Sequence, residues 1–299
     1  MGSFVGARLT EAGWPTAVAA RGPALGALRA GPLRLVDDAV EREVRLLIVS
    51  DPVEWAPVEL ALVCTKSFDT DAAAAALAPA LAPGAVVLSL QNGVENPAAL
   101  ARACPGAAVG GVAVYLGCQR VAPDRVVRRP SRDPASGRLR DLLAGGGAGA
   151  PGEALASVAA ALGVPCRVDR SYEEALWTKL VANAALNTVT TLGRARVGAV
   201  FADPRAVDLM LALGREVVAV ARACGVQVRP DAAEAYLADA RRRLPRDGGS
   251  STFFDLTGGR RLERDALVGA VVRHGDRLGV PVPASRACDA LLRLLDPGG

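Results

Sequence analysis

Leu60-Ala61-Leu62-Val63-Cys64-Thr65-Lys66 and, further on, Val86-Val87-Leu88-Ser89-Leu90-Gln91-Asn92-Gly93 are two short apolar runs that each break off into polar residues, with a helical stretch, Asp71–Leu81, between them. Working outward, the same rhythm holds. Strands are expected at Thr16–Ala20, Leu33–Val36 and Val44–Val49 on one side, and at Ala108–Leu116 and Val164–Val168 on the other. Helices are expected at Pro23–Ala30 and Pro97–Ala103, and Arg8–Ala12 reads as the end of a helix closed at Gly13. Strands that are apolar along their whole length, interleaved with helices, imply a mostly parallel sheet covered on both faces. Beyond Val168 the rhythm stops. Apolar residues recur at helical spacing over about 172–192, 203–224, 231–243, 259–278 and 284–295. The expected organisation is an α/β domain over residues 1–168 followed by an all-helical domain over 169–299, with the boundary near 166–171. The glycines Gly145–Gly147 and Gly149, with Pro151 and Gly152, read as a flexible surface excursion before the switch.

The composition fits a soluble enzyme-sized chain. With 299 residues, 51% of them apolar, 22% charged and a net charge of +4, a core can be buried without disulfides or metals. No apolar run approaches the ~18–20 residues needed to span a bilayer, and no basic-plus-apolar leader opens the chain. The six cysteines form no CxxC pair, so reduced core residues and a cytoplasmic setting are expected. Seven arginines between Arg120 and Arg140, and three more at Arg241–Arg243, lack interleaved aromatics and have acidic neighbours. They read as solvated loops, and neither nucleic acid nor membrane is an expected partner.

Lysine and asparagine are scarce. Of 35 Lys and Arg residues only Lys66 and Lys179 are lysine, and the asparagines are Asn92, Asn96, Asn183 and Asn187. A chain so biased toward Arg, Ala and Gly keeps these residues where the substitute fails. Arg stays protonated whereas Lys can be tuned toward neutrality, so the two differ most at an acid/base site.

In an open parallel sheet, ligands lie beyond the carboxyl ends of the strands, where glycine turns let backbone amides approach phosphate. Lys66 and Gln91-Asn92-Gly93 stand at two such ends, and Gly2, Gly6 and Ala7 open the first helix. The strand Thr16–Ala20 ends in Arg21-Gly22, where an arginine suits the 2′-phosphate of NADP in place of the acid that binds NAD ribose. A solvated strand-end arginine is the other reading. Met1-Gly2-Ser3-Phe4-Val5-Gly6 reads as the closing part of a GxGxxG loop of Rossmann type without its strand. The expectation is therefore a domain whose first, central strand is missing, with its residues upstream of Met1.

In Leu176-Trp177-Thr178-Lys179-Leu180-Val181-Ala182-Asn183-Ala184-Ala185-Leu186-Asn187, positions 179, 183 and 187 form one polar row on an otherwise apolar helix. That row is expected to face either a substrate cleft or a hydrogen-bonded interdomain seam. Ser250-Ser251 and Glu263 form a third group, with a surface ion pair as the alternative for Glu263. His274 is the single histidine, reads as structural or surface, and leaves no metal site to build.

Together, Gly2-Ser3-Phe4-Val5-Gly6-Ala7-Arg8-Leu9, Ala20-Arg21-Gly22, Thr65-Lys66, Gln91-Asn92-Gly93, the Lys179/Asn183/Asn187 row, and Ser250-Ser251 with Glu263 resemble the ketopantoate reductases over essentially the whole chain. The resemblance implies NADPH-dependent reduction of a small 2-keto acid, 2-dehydropantoate first, in pantothenate biosynthesis. By the resemblance, Lys179 is the catalytic acid with Glu263 beside it in the catalytic set, and Asn92, Asn183, Asn187 and Ser251 contact or organise substrate. Gly2, Arg21, Lys66, Asn92 and Glu263 are its cofactor contacts. A related reductase of another keto or imino acid and a non-catalytic nucleotide-binding protein are the alternatives. The apolar helices of the second half leave a homodimer seam open. The sequence departs from the family pattern in its missing leading glycines and in the Arg- and Gly-rich stretch Cys118–Gly149.

Overall fold

The computed structural model describes residues 1–131 and 139–298. The chain divides into two compact units, one of Met1–Gln91 with Asn96–Tyr172 and one of Asn92–Glu95 with the residues from Glu173 onward.

The first unit is an α/β domain. Its elements in order are α1 (Gly2–Glu11), β1 (Ala17–Ala19), α2 (Pro23–Ala30), β2 (Leu33–Asp37), β3 (Val40–Val44), β4 (Leu47–Val49), β5 (Val58–Val63), α3 (Thr70–Leu77), β6 (Leu81–Ser89), α4 (Asn96–Ala103), β7 (Ala108–Tyr115), β8 (Cys118–Ala122), β9 (Arg125–Arg128), β10 (Leu142–Gly146), α5 (Ala150–Leu162) and β11 (Cys166–Asp169). Three sheets result, where one was expected. The order β11-β10-β7-β6-β5 makes the main sheet, parallel except that β10 runs antiparallel to β7; β1 pairs in parallel with β4, and β3-β2-β9-β8 forms the third. The apolar runs of β6 have the cause inferred from sequence. Val87 and Leu88 are both fully buried, but Val87 joins the cluster under α3 and α4, while Leu88 joins the one containing Phe4, Val158 and Leu162 of α1 and α5. Covered on both faces, the strand has no polar side to show.

Helix α1 bridges the separated sheets. Gly6 meets Val18 of β1 so closely that a Cβ there would come 2.4 Å from Val18 Cγ2, and a Cβ at Gly2 would stand 3.3 Å from Cys64 Cβ just past β5. The expected single strand Val44–Val49 is two, because the chain leaves the antiparallel pairing of β3 with β2 at Val44 and enters the parallel pairing of β4 with β1 at Leu47.

Two readings of the middle of this unit are corrected. Gly145 and Gly146, expected on a flexible excursion, end a buried strand, and Gly149, Pro151 and Gly152 start α5. The glycines are there for closeness: a Cβ at Gly110 of β7 would meet the Gly146 carbonyl oxygen at 2.1 Å. In Arg120–Arg140 the solvated reading holds for the exposed Arg120 and Arg129 but not for Arg128. Arg128 is buried on β9, with Nη2 at 2.7 Å from Asp141 Oδ2 and Nη1 at 2.8 Å from Asp37 Oδ1, while Arg125 pairs with Glu41 at 3.0 Å. Arg132 and Arg138 of that stretch lie outside the described residues. Of the cysteines expected in the core, Cys104 and Cys288 are buried and Cys166 is exposed.

The second unit is helical. It comprises α6 (Tyr172–Leu192, from Glu173 on), α7 (Val197–Ala202), α8 (Pro204–Ala223), α9 (Ala232–Arg243), α10 (Ser251–Thr257), α11 (Val268–Leu278) and α12 (Pro283–Leu295). Helix α6 is buried on nearly every side from Ala175 to Thr191, and its buried Asn187 and Thr190 find partners inside the unit. Gly214 of α8 brings Val181 and Ala233 together. The helix expected over 259–278 is interrupted: residues 258–263 are irregular, a single 3-10 turn covers Arg264–Ala266, and α11 begins at Val268. The break places Glu263 immediately before that turn, with Arg264 fastened to Asp265 and Asp289 and the Leu262 N–H donating to Asp296. No helix among the described residues is long and apolar enough to cross a membrane.

Gly110→Ala tests the close approach of β7 and β10. The added methyl would press on the Gly146 carbonyl oxygen and also on Leu88 Cδ2 and Pro151 Cβ, each 2.9 Å away, so urea denaturation should show a loss of about 1–3 kcal/mol, the range for overpacking a dense core.

Candidate active site

In the first unit, the carboxyl ends of β1, β5 and β6 are tied together. Gln91, buried just past β6, is the hub: its side-chain amide donates to Thr65 Oγ1 at 3.2 Å and Thr70 Oγ1 at 2.8 Å, and its carbonyl accepts from Ser89 Oγ at 3.1 Å. Thr70 Oγ1 in turn contacts Asn96 Oδ1 at 2.9 Å. This network fixes the turn after β5 on which half-buried Lys66 stands. Arg21, exposed past β1, is hydrogen-bonded to Asp69 of the same turn. Gly2 opens α1 beside Cys64. Sequence reasoning placed Gln91 in the motif without a role; the signal available for it was only its position beside Asn92.

In the second unit, the polar row of α6 divides. Lys179 Nζ donates to Asn92 Oδ1 at 3.0 Å, and Asn183 Nδ2 reaches the same oxygen at 3.5 Å. Asn92 Nδ2 donates in the other direction to Glu263 Oε2 at 3.4 Å. Thus Lys179, Asn183, Asn92 and Glu263, far apart in sequence, share one small network. Asn187 is elsewhere. It is buried, and its amide donates to Thr252 Oγ1 at 3.3 Å, which makes it part of a seam between α6 and α10. Thr190 strengthens that seam through Ser250 Oγ at 2.8 Å, and Ser250 also caps α10 by accepting from the Phe253 N–H at 3.1 Å. Ser251, the next residue, is exposed. The row is therefore split: Lys179 and Asn183 converge on Asn92, whereas Asn187 bonds to Thr252 within the helical unit.

Electrostatics mark Lys179. Burial disfavours its ammonium and lowers the pKa from 10.5 to about 8, against the opposing pull of the Glu263 carboxylate, which favours the charged form. An amine close to neutrality, held by an amide oxygen and accompanied by one carboxylate, can give up or take a proton near physiological pH. Glu263 is buried and its oxygen faces Asn92, so it is not the surface ion-pair residue offered as the alternative. His274, read as structural or surface, is partly buried and bonded to Glu95 at 3.2 Å. Glu95 and Arg273 had no signal in the sequence that singled them out.

Residues 1–137 match the family model described as ketopantoate reductase PanE/ApbA, and residues 171–296 match its C-terminal model. The 2-dehydropantoate 2-reductase of Halobacterium salinarum is 35% identical over 306 residues, covering 100% of this chain and 97% of that protein. The crystal structure of a PanE/ApbA family ketopantoate reductase from Ralstonia eutropha is 35% identical, with a TM-score of 0.86 over 97% of this chain and 93% of that one. A D-mandelate dehydrogenase structure with NADH and anilino(oxo)acetate shares the fold, with a TM-score of 0.87 over 99% of this chain and 95% of that one at 18% identity. With both of its halves matched by family models and its whole length matched by a relative at 35% identity, the chain belongs to the ketopantoate reductase family of oxidoreductases acting on a CH–OH group.

Proposed function

We propose that this protein reduces 2-dehydropantoate to pantoate with NADPH, and that Lys179 is the general acid. The observation that carries the reading is the Lys179 amine, lowered in pKa by burial and hydrogen-bonded at 3.0 Å to Asn92, with Glu263 in the same network.

A bound reduced nicotinamide supplies the hydride. Residues of the first unit suit its nucleotide: Lys66 offers an ammonium on a turn fixed by Gln91, and Gly2 at the start of α1 presents backbone with no side chain. Arg21 offers a guanidinium to a 2′-phosphate, which it would share with Asp69. As negative charge develops on the ketone oxygen, the Lys179 ammonium donates a proton to it and is left neutral. Asn92 and Asn183 hold the amine in place, and Glu263 keeps it protonated before the step. The exposed Ser251 hydroxyl is free in orientation to donate to the substrate carboxylate, while Asn187 organises the seam beneath it through Thr252. A different 2-keto acid is the second reading, favoured by the likeness of fold to D-mandelate dehydrogenase. The deciding experiment is NADPH oxidation by the purified protein over a panel of 2-keto acids; a best substrate other than 2-dehydropantoate selects the second reading.

Lys179→Ala should lower kcat by about 10²–10⁴-fold, the usual contribution of a general acid, with NADPH affinity unchanged by fluorescence titration. The acid form of Lys179 is lost as pH rises through about 8. Steady-state profiles should then show ketone reduction falling above that pH and alcohol oxidation rising. Glu263→Gln removes the charge that favours the ammonium, so the falling limb should move to lower pH. Arg21→Ala should raise the KM for NADPH and leave that for NADH nearly unchanged.

A further inference from the structure

Asn92 is held by more than its own side chain. Three residues on, the Glu95 carboxylate receives Arg273 Nη2 at Oε2, 2.5 Å away, and His274 Nε2 at Oε1, 3.2 Å away. Both donors are on α11. The same Arg273 nitrogen also donates to the Asp265 carbonyl at 2.6 Å, two residues past Glu263. The His274 ring stands edge-on to Trp177, with centroids 5.3 Å apart, and Trp177 is buried two residues before Lys179 on α6. One cluster therefore grips the chain close to Asn92, Glu263 and Lys179.

The hydrogen bonds are mutually consistent. Arg277 Nη2 lies 2.7 Å from His274 Nδ1 and can only donate, so Nδ1 accepts and Nε2 carries the proton that is given to Glu95. Cys224 Sγ, 3.5 Å from Nδ1, adds a second neighbour on that side. Burial alone would raise the Glu95 pKa, but the bonds from His274 and Arg273 outweigh it and lower the value to about 2, so Glu95 is a carboxylate at any working pH. A half-exposed ion pair by itself contributes little to stability. Its distinctive feature is where it is attached: to the short Asn92–Glu95 segment that packs with the helical unit although the rest of its neighbourhood in sequence does not.

We infer that Glu95, acting through Arg273 and His274, is a positioning residue that sets the Asn92 amide oxygen against the Lys179 amine. It touches no reacting atom. Without it, Asn92 loses one anchor, the ammonium loses the Asn92 oxygen as an acceptor, and the proton donor is held less firmly in one orientation. The effect on Lys179 has a definite sign. Losing an acceptor disfavours the charged amine further and lowers its pKa, whereas general loosening of the unit would admit water and raise the pKa toward 10.5.

The inference rests on Lys179 being the proton donor, yet it can be read without turnover. Lys66 and Lys179 are the only lysines in the chain, so acylation by acetic anhydride at graded pH, followed by peptide mass spectrometry, reports each amine separately. In Glu95→Ala the midpoint of Lys179 acylation should fall by about half a unit to one unit, with Lys66 unchanged and with Glu95→Gln, which keeps one acceptor, in between. Arg273→Ala, at a partly exposed site, should shift the midpoint the same way and serves if Glu95→Ala does not fold. In turnover, Glu95→Ala should lower kcat about tenfold with little change in KM, and Asn92→Ala/Glu95→Ala should be no worse than Asn92→Ala alone, as expected for two residues on one path. An unchanged or raised Lys179 midpoint, or additive losses in the double variant, would overturn the assignment. A protein that reduces no 2-keto acid but shows the shifted midpoint would sink the reductase reading and leave the positioning role of Glu95 intact.

Discussion

A lysine amine taken out of water beside a carboxylate is under two opposing pulls, and the helical unit is arranged around their balance. Desolvation strips the proton from Lys179 and Glu263 returns it, leaving the pKa at about 8. Neither pull would be steady if the partners moved. Lys179 is set by α6, the helix buried on nearly every side, and Glu263 by an irregular stretch bolted to α12 through Arg264 and Asp296. Asn92 joins them, accepting from the amine with one atom of its amide and donating to Glu263 with the other. An amide suits this place because it offers both polarities without adding charge to the balance.

The α/β unit is organised by a different constraint, the burial of strands on both faces. Val87 and Leu88 point to opposite clusters and neither tolerates a polar side chain. Chemistry is then confined to the strand ends, and there Gln91 links the ends of β5 and β6 while Arg21 and Asp69 link β1 to the same turn. Where strands must approach more closely than side chains allow, as at Gly110 and Gly146, glycine is required on packing grounds. Composition alone treats a glycine run as a linker, because flexibility and closeness call for the same residue.

The fold class and most of the candidate site were legible. Period and punctuation marked α2 and α6 to within a residue, and the scarcity of lysine and asparagine pointed at Lys179, Asn92 and Asn183 before any coordinates. What was not legible has a common cause. Arg128 looked like one of a run of solvated arginines because its partners, Asp37 and Asp141, are remote in sequence or hidden in another strand. Glu95, Arg273 and His274 looked unremarkable for the same reason, and Asn187 shared the spacing of Lys179 and Asn183 while facing α10.

The sequence by itself determined which segments become strands and helices, and which residue types are kept against a strong compositional bias, since propensity, burial pattern and the chemistry of a titratable amine are properties of local chain and side chain. Only the tertiary structure decided partnership. Helical spacing puts Lys179, Asn183 and Asn187 in one row, but whether each meets Asn92 or Thr252 depends on which elements pack alongside α6. That Asn92–Glu95 groups with the helices follows from long-range contacts that no local pattern encodes.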